Sequence, residues 1–280
     1  MVKIVTDSAA DFEPAELKKL NITCIPMQIS FDNETYRENV NLTKDEFYRL
    51  LSEKESFPKT SQPTPYEFEE ILKENMESED ETVVITVSSA LSGTYQNASL
   101  TKDMLEYENC YVVDSLSATG GQRILVEYAA RLRDEGKSAS EIYESLMEIR
   151  GKIKIFACID TLEYLHKGGR ISKTAFAVGS FANIKPIISV SGEGRVEVGA
   201  KALSMRKGIS SVCKKLEQHI PNENFPIYIV YSNDKTNALI LQKTALKYGH
   251  NISEDEMINI GAAIGAHIGS GACGIIYVEK

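Results

Sequence analysis

The sequence predicts an α/β protein with two domains: an N-terminal three-layer α/β/α domain with a mostly parallel sheet, and a C-terminal α/β domain with a mixed sheet. In the first half, apolar runs of strand length alternate with helix patterns, which is typical of parallel strands covered on both faces. In the second half, Ser191–Gly194 separates two strand-like runs and indicates a hairpin. The 280 residues suffice for two domains. We expect these to be 1–150 and 151–280, packed closely because no low-complexity linker separates them.

Helix-start signals and apolar runs place the elements of the first half. Thr43 and Glu46 form a capping-box pattern, and Pro65 stands at the first position of another helix. Apolar runs rich in β-branched residues give the strands. The predicted strands are Lys3–Thr6, Thr23–Ser30, Thr82–Val87 and Cys110–Val113, and the predicted helices are Pro14–Leu20, Thr43–Ser52, Thr64–Met76, Gly120–Glu135 and Ser138–Ile149.

The pattern changes near Gly151, where strands begin to predominate. A short helix there is ended by the glycine pair Gly168 and Gly169. The hairpin signal and the mixed order of elements favour a mixed sheet. The predicted strands are Ile153–Ile159, Ile184–Val190, Arg195–Leu203, Pro226–Tyr231, Met257–Ile260 and Cys273–Val278, and the predicted helices are Leu162–Lys167, Met205–His219 and Thr236–Tyr248.

The composition argues against several classes of function. A net charge of −9 disfavours nucleic acid as a partner, because phosphate backbones are bound by basic surfaces. The cysteines are widely spaced and form no C-x-x-C pair, so neither a metal centre nor a disulfide framework is expected. No apolar run reaches the roughly 18 residues of a membrane span, and the N-terminus has strand character rather than that of a signal peptide. We therefore expect a cytoplasmic protein without metal or cofactor.

Hydroxyl-rich loops at residues 59–65, 88–96 and 114–121 are the strongest functional signal. They supply neutral hydrogen-bond donors, many of them at helix N-termini, where backbone N–H groups and the helix dipole favour an anion. Ser92 can donate its hydroxyl, and Gly93 lets a ligand approach the backbone. The alternative for Ser92 is that it caps its own helix. Thr60 and Ser61 can hold an anion in the same way, or belong to an ordinary strand-to-helix turn.

Three further residues could contact an anionic ligand. His267 lies among small residues and could donate to an anion, although a lone histidine in an apolar setting is more often a core residue. Arg170 belongs to a basic, glycine-rich run that lacks the G-x-x-x-x-G-K-[ST] spacing of a phosphate loop. Arg206 stands at a helix start and could reach a phosphate, although exposed cations are the ordinary case. Nucleotide binding is therefore weakly supported.

An enzymatic alternative uses the aspartates that end two strands. Asp7 and Asp114, with Asp11 near the first of them, could suggest metal-assisted chemistry. Aspartate is also common at strand ends because it caps turns. The sequence has neither a G-x-S-x-G elbow nor an H-E-x-x-H motif. A hydrolase or phosphotransferase acting on an anionic substrate is thus the second hypothesis, and a structural or regulatory protein without a ligand is the third.

Taken together, these motifs resemble the DegV family. They occur in order and cover nearly the whole chain, so the set is far more specific than any single motif. The matching stretches are Thr6–Asp11, Thr60–Pro63, Ser92–Gln96, Asp114 and Ser115, Leu165–Ile171, Lys185–Ile188 and His267–Gly269.

The resemblance implies two α/β domains with a long-chain fatty acid in a tunnel between them. It also implies a carrier rather than a catalyst: a separate ATP-using fatty acid kinase subunit phosphorylates the bound carboxylate, and the acyl phosphate passes to phospholipid synthesis. On that pattern Thr60, Ser61 and Ser92 hold the carboxylate, His267 supports it, and Arg170 or Arg206 faces the phosphate or the kinase. Transient contact with a membrane surface fits such a carrier. For the tunnel wall we expect the apolar residues Phe156, Phe176, Phe181 and Ile187.

Overall fold

A computed structural model of the chain describes residues 1–179 and 184–280. The strands are β1 (Val2–Asp7), β2 (Ile22–Ile25), β3 (Gln28–Phe31), β4 (Glu34–Arg37), β5 (Lys59–Ser61), β6 (Glu81–Thr86), β7 (Cys110–Asp114), β8 (Ile153–Cys158), β9 (Lys185–Val190), β10 (Val196–Ala202), β11 (Tyr228–Tyr231), β12 (Met257–Asn259) and β13 (Cys273–Val278). The helices are α1 (Pro14–Leu20), α2 (Lys44–Glu53), α3 (Pro65–Glu77), α4 (Thr94–Met104), α5 (Gly120–Asp134), α6 (Ala139–Ile149), α7 (Glu163–Lys167), α8 (Lys173–Gly179), α9 (Met205–Gln218), α10 (Thr236–Leu246) and α11 (Ala262–Ile268).

The first sheet is parallel throughout, with its strands in the order β2-β1-β6-β7. Helices cover both of its faces. Val83 and Ile85 of β6 pack with residues of α5 and α6, whereas Val84 packs with residues of α3 and α4. Burial on both faces explains why these strands are continuous apolar runs rather than alternating ones. The predicted three-layer α/β/α arrangement is confirmed.

The strand order of this sheet has a functional consequence. From β1 the chain goes first to β2 on one side and later to β6 and β7 on the other. At such a switch point, the loops that follow neighbouring parallel strands diverge and leave a crevice at the carboxyl edge of the sheet. The loops after β1 and β6 therefore border a natural binding crevice.

The second sheet is mixed, as predicted, with the order β10-β9-β8-β13-β11-β12. Only β11 and β12 pair in parallel, and the other neighbours are antiparallel. The hairpin expected at Ser191–Gly194 joins β9 to β10, and Gly194 adopts the left-handed φ of +76° that the turn needs. Residues of α9 and α10 pack on the outer face, while the inner face packs against α5.

One predicted strand is wrong. Thr23–Ser30 is interrupted at Pro26, which has no backbone N–H for a ladder. The segment before the proline is β2 of the first sheet, whereas β3 after it pairs with β4 and β5 in a separate antiparallel sheet. Because β5 covers Lys59–Ser61, the first hydroxyl-rich segment, residues 59–65, begins as a strand and not as a turn that follows one.

The sequence patterns also miss β4, β5, α8 and α11. Helix α11 is rich in glycine and alanine, so it shows no apolar period. It forms because its small residues allow close packing: a Cβ on Gly265 would lie 2.7 Å from the ring of Phe47. The other predicted elements lie within a residue or two of their expected ends. Among the described residues, no helix has the length and apolarity needed to span a bilayer.

Candidate functional site

A cavity of about 380 Å³ lies between the carboxyl edge of the first sheet and the inner face of the second. Loops after all four strands of the first sheet contribute to its wall. Ala9 follows β1, Met27 follows β2, Val87 follows β6 and Ala118 follows β7. The cavity therefore occupies the crevice that the switch point creates, and its body is almost entirely aliphatic.

The second sheet supplies the opposite wall through alternate residues of its strands. Ile155 and Ala157 of β8, and Ile188 of β9, line the cavity. Because side chains alternate across a strand, Phe156 and Ile187 point to the other face and pack with the residues of α9 and α10. Their expected place in the tunnel wall is therefore wrong.

The other two wall predictions have different outcomes. Phe176 is not in the cavity wall: it packs against the main core and stacks on His166 with ring centroids 4.3 Å apart. Phe181 lies outside the described residues.

One end of the cavity is polar. Four segments converge there: β5, the loop after β6, the turn after α7, and α11. The polar residues at this end are Thr60, Ser61, Gln62, Ser92, Arg170 and His267. The structure thus brings five of the seven sequence-predicted site residues into one cluster.

Thr60 and His267 form the centre of this polar end. The Thr60 Oγ1 and His267 Nε2 atoms are 2.8 Å apart. Burial, with a smaller contribution from the charge of Arg170, lowers the pKa of His267 to about 3, so its ring is neutral at physiological pH. His267 Nδ1 is buried without a partner. Because a buried unpaired N–H is costly, the favoured tautomer carries its proton on Nε2 and donates it to Thr60, whose own O–H is then free to donate to a ligand.

Arg170 supplies the positive charge at this end. Its Nε donates to the Leu91 carbonyl at 3.0 Å, and its Nη1 donates to the Gly168 carbonyl at 2.5 Å. These bonds fix the guanidinium between the two halves of the chain, beside the residue that precedes Ser92. Burial lowers the pKa of Arg170, but arginine stays protonated in proteins. The polar end is therefore suited to an anion.

Ser92 lies at the start of α4 but does not cap it. The N-cap residue is Gly93, which has no side-chain cap, and the Ser92 and Thr94 hydroxyls share a hydrogen bond of 2.8 Å. The alternative that Ser92 caps its own helix is thus not what the structure shows. The first N–H groups of α4 have no intrahelical acceptors, so they add to the favourable potential for an anion.

Gly93 has a different neighbour from the one expected. Its N–H donates to Gln62 Oε1 at 2.9 Å, and a Cβ on Gly93 would lie 2.5 Å from that oxygen. Gly93 does not line the cavity. The glycine therefore admits the Gln62 side chain, and the prediction that a ligand approaches its backbone is corrected.

Gln62 lines the polar end of the cavity but is not among the site residues predicted from the sequence. Its Oε1 accepts from the Gly93 N–H. Asn97 Nδ2 also donates to the Pro63 carbonyl at 2.8 Å, so α4 holds the 62–63 segment at two points. The close pairing of a glutamine with a glycine that is 31 residues away leaves no local signal in the sequence.

Arg206 is not part of this cluster. It is exposed in the first turn of α9, on the outer side of the second sheet, and does not line the cavity. Ser61 does line the cavity and is exposed as well, so the polar end reaches solvent on its side.

The aspartates of the enzymatic alternative hold turns. Asp7 accepts from Ala9 N–H at 3.0 Å and Val87 N–H at 2.8 Å. Asp114 accepts from Ser89 N–H at 3.1 Å and Leu116 N–H at 3.0 Å. None of Asp7, Asp11 and Asp114 lines the cavity. Among the described residues, no group of three or more histidine, cysteine or carboxylate side chains is placed to hold a metal ion.

Comparison with known proteins places the chain in a family. The family model for DegV proteins, described as uncharacterised, matches residues 1–280. The chain belongs to the DegV family. A DegV domain-containing protein of Clostridium acetobutylicum is 32% identical over 279 residues, which covers 100% of this chain and 99% of the relative.

Solved structures of DegV proteins have the same fold. A fatty-acid-binding DegV protein of Thermus thermophilus matches with a TM-score of 0.89 and 28% identity, and a stearic-acid-binding protein of Eubacterium ventriosum with 0.88 and 27%. DegV of Bacillus subtilis, described as a fatty acid binding protein, matches with 0.85 and 28%. In all three, the match covers 100% of this chain and 99% of the other. The predicted two-domain α/β fold is thereby confirmed.

Proposed function

We propose that this DegV protein binds one long-chain fatty acid and presents its carboxylate to a separate ATP-using kinase, whose acyl phosphate product passes to phospholipid synthesis. The observation that carries the proposal is the polarity of the cavity, which is aliphatic along its body and hydroxyl-rich and cationic at one end. A fatty acid matches this polarity, because its acyl chain is apolar and its carboxylate head is anionic. The structural relatives described as binding fatty acids also support the proposal.

The energetics divide in the same way. Each methylene moved out of water contributes about 0.8 kcal/mol, so the tail supplies most of the affinity. A buried anion must be hydrogen-bonded, and each hydrogen bond to a charged group contributes about 1.5–3 kcal/mol. In the proposed complex, the hydroxyls of Thr60 and Ser92 donate to the carboxylate and Arg170 supplies the counter-charge. The head group therefore fixes the orientation of the ligand.

Presentation to a kinase is supported by the exposure of the polar end. Ser61 lines the cavity and is exposed to solvent, so a partner could reach the carboxylate without entering the apolar body. Arg206 lies on α9 and does not line the cavity, so it does not hold the head group. In the proposal it contacts only the kinase or the phosphate. Delivery of an acyl phosphate would bring the carrier into transient contact with a membrane surface.

Two features favour a carrier over a hydrolase. The carboxylates of Asp7 and Asp114 accept backbone N–H groups and are kept away from the cavity. His267 pairs with Thr60, and burial lowers its pKa to about 3, which disfavours it as a general acid near neutral pH.

A direct test pairs binding with phosphorylation. Delipidated protein is titrated with palmitate, and acyl phosphate formation is followed after addition of ATP and a fatty acid kinase subunit. We expect saturable binding at one site, and product only when carrier, kinase and ATP are all present. Product from the carrier and ATP alone would favour the phosphotransferase hypothesis, and an absence of binding would rule out the carrier.

A further inference from the structure

Three buried carboxylates lie beside the cavity, and the proposed binding step uses none of them. Asp7, Asp11 and Glu38 are each almost completely shielded from solvent, with relative exposures of 0%, 1% and 2%. Such groups are rarely buried without a structural or functional reason. Two of them contact α11, the helix that carries His267.

The contacts hold the beginning of α11 against the N-terminal half of the chain. Asp11 Oδ1 accepts from Gly261 N–H at 2.8 Å, and Glu38 Oε1 accepts from Ala263 N–H at 3.1 Å. The Tyr48 hydroxyl donates to the Ile260 carbonyl at 2.9 Å. Three successive points on the segment that enters α11 are thus fixed by side chains more than 200 residues earlier in the sequence.

Gly261 is required for this arrangement. A Cβ at that position would lie 2.2 Å from Glu38 Oε1 and 2.9 Å from Asp11 Oδ1. The glycine has an ordinary extended backbone, with φ −77° and ψ −175°, so its role is to leave space and not to relieve strain. An alanine there would displace both carboxylates without changing any charge.

The other end of α11 reaches the polar end of the cavity. The helix has seven residues, so it is about 10 Å long at the usual rise per residue. Ala263, Ile264 and His267 line the cavity, and His267 hydrogen-bonds to Thr60. The position of His267 therefore depends on where the carboxylates hold the start of the helix.

The second oxygen of Glu38 is also engaged. Its Oε2 is 2.6 Å from the Ser8 hydroxyl, which accepts from Met27 N–H at 2.9 Å. The side chain therefore links three parts of the cavity wall: the turn after β1, Met27 between β2 and β3, and α11. A glutamine could replace it sterically and keep an oxygen toward Ala263, whereas an alanine would leave the Ser8 hydroxyl and the Ala263 N–H without their acceptor.

We propose that Glu38 and Asp11 are positioning residues for the ligand site: they clamp the start of α11 and thereby set the placement of His267 and Ile264 around the bound fatty acid. This inference rests on the proposed function for its ligand, but the clamp itself can be measured without one.

We expect the clamp to be sensitive to pH. Burial and the neighbouring Asp11 raise the pKa of Glu38 to about 7, and burial raises the pKa of Asp7 and of Asp11 to about 6. Helix α11 has no charged side chain at this end. The other titratable groups that face the cluster are Cys24 on β2, Lys44 and Tyr48 on α2, and Arg123 on α5, with Glu13 and Glu16 paired to Lys44 and Arg123. As pH rises through 7, the carboxylates repel one another and we expect α11 to loosen.

The first measurement is amide hydrogen exchange at residues 261–268 in delipidated protein. We expect Glu38→Ala and Gly261→Ala to speed exchange there by about tenfold, the effect of losing one buried hydrogen bond. Glu38→Gln should exchange like the wild type at pH 6. The matched control is Gly192→Ala, because a Cβ there meets nothing within 4 Å. Wild-type exchange in both Glu38→Ala and Gly261→Ala would overturn the clamp.

The second measurement is release of radiolabelled palmitate to phosphatidylcholine vesicles at pH 6 and pH 8. Wild-type release should accelerate several-fold between these pH values, Glu38→Gln should show no such step, and Glu38→Ala and Gly261→Ala should release quickly at both. A wild-type step in Glu38→Gln would overturn Glu38 as the titrating group. If the wild type binds no palmitate, the proposed function fails, while the exchange data still decide whether the clamp exists.

Discussion

At the scale of single residues, the site depends on neutral donors beside one fixed cation. Thr60 and Ser92 offer hydroxyls, and Arg170 is held in place by two backbone carbonyls. A neutral His267 orients Thr60 without competing for the ligand's charge. Such a site can bind a carboxylate firmly without neutralising it in a tight ion pair, which leaves the oxygens available to react.

Removing either hydroxyl should weaken fatty acid binding. Thr60→Val keeps the shape of the side chain and Ser92→Ala removes one oxygen. Because a hydrogen bond to a charged group contributes about 1.5–3 kcal/mol, we expect each variant to bind palmitate roughly ten- to a hundredfold more weakly, as measured by calorimetry. Ser145→Ala, at a partly buried helix serine whose hydroxyl donates to the Glu141 carbonyl of its own helix, is the control. Wild-type affinity in both Thr60→Val and Ser92→Ala would contradict the head-group assignment.

Gly93 and Gln62 should be energetically coupled. Gly93→Ala places a methyl group against the Gln62 amide and breaks the bond to Oε1, so we expect weaker palmitate binding, by about tenfold. In the background of Gln62→Ala the same substitution has room, and its effect should largely disappear. The four affinities form a double-mutant cycle. Additive effects would show that Gly93 does not act through Gln62.

The sequence predicts these residues unevenly. Thr60, Ser92, Arg170 and His267 are predicted because each combines a suitable functional group with a family motif, and the structure brings them together. Gln62 is missed because its role depends on a contact between two loops that are distant in sequence. Arg206 has suitable chemistry, but the side of the sheet on which its helix packs is set by the tertiary structure and not by local sequence.

At the scale of elements, alternation along the strands decides which side chains form the cavity. The sequence predicts the bounds of β8 but not which face of the strand lines the cavity. Phe156 is therefore expected in the wall that Ile155 and Ala157 in fact form. Lys154, two residues before Phe156, is the one charged residue of this strand and marks its outer face, but the remaining positions on both faces are apolar and buried. Helix α11 is missed for a different reason. Its close packing requires small residues, and these give no apolar period in the sequence.

Filling the cavity at β8 should shorten the preferred ligand. Ala157→Leu adds apolar volume inside the wall, so we expect affinity to fall more for long chains than for short ones, by about fourfold for each methylene that no longer fits. Affinities across a series of saturated fatty acids measure this. Ala200→Leu, at an exposed position of β10, is the matched control. An unchanged chain-length profile in Ala157→Leu would place the acyl chain elsewhere.

At the scale of the whole molecule, the first sheet and the second sheet pack against some of the same elements. Helix α5 packs against strands of both sheets, and α11 extends from the second half of the chain into the core around Phe47 and Tyr48. We propose the domain boundary at residues 150 and 151, in the turn between α6 and β8. The sequence predicts a parallel sheet followed by a mixed sheet. It does not predict that α5 and α11 pack across both halves, because that depends on contacts between segments far apart in the chain.

The buried carboxylates should make overall stability dependent on pH. The folded-state pKa of Glu38 is raised from 4.5 to about 7, so its proton favours the folded state, and that stabilisation is present below pH 4.5 and lost as pH rises through 7. Glu38→Gln does not titrate. We therefore expect its free energy of unfolding to increase relative to the wild type between pH 5 and pH 8, as measured by urea denaturation. A constant difference across this range would mean that Glu38 has an ordinary pKa.

Mass spectrometry of an organic extract from freshly purified protein tests most directly whether the cavity holds a fatty acid. We expect one long-chain fatty acid per protein chain, with less recovered from a Thr60→Val and Ser92→Ala double variant. An extract without fatty acid, from protein that also fails to take up added palmitate, would contradict this expectation.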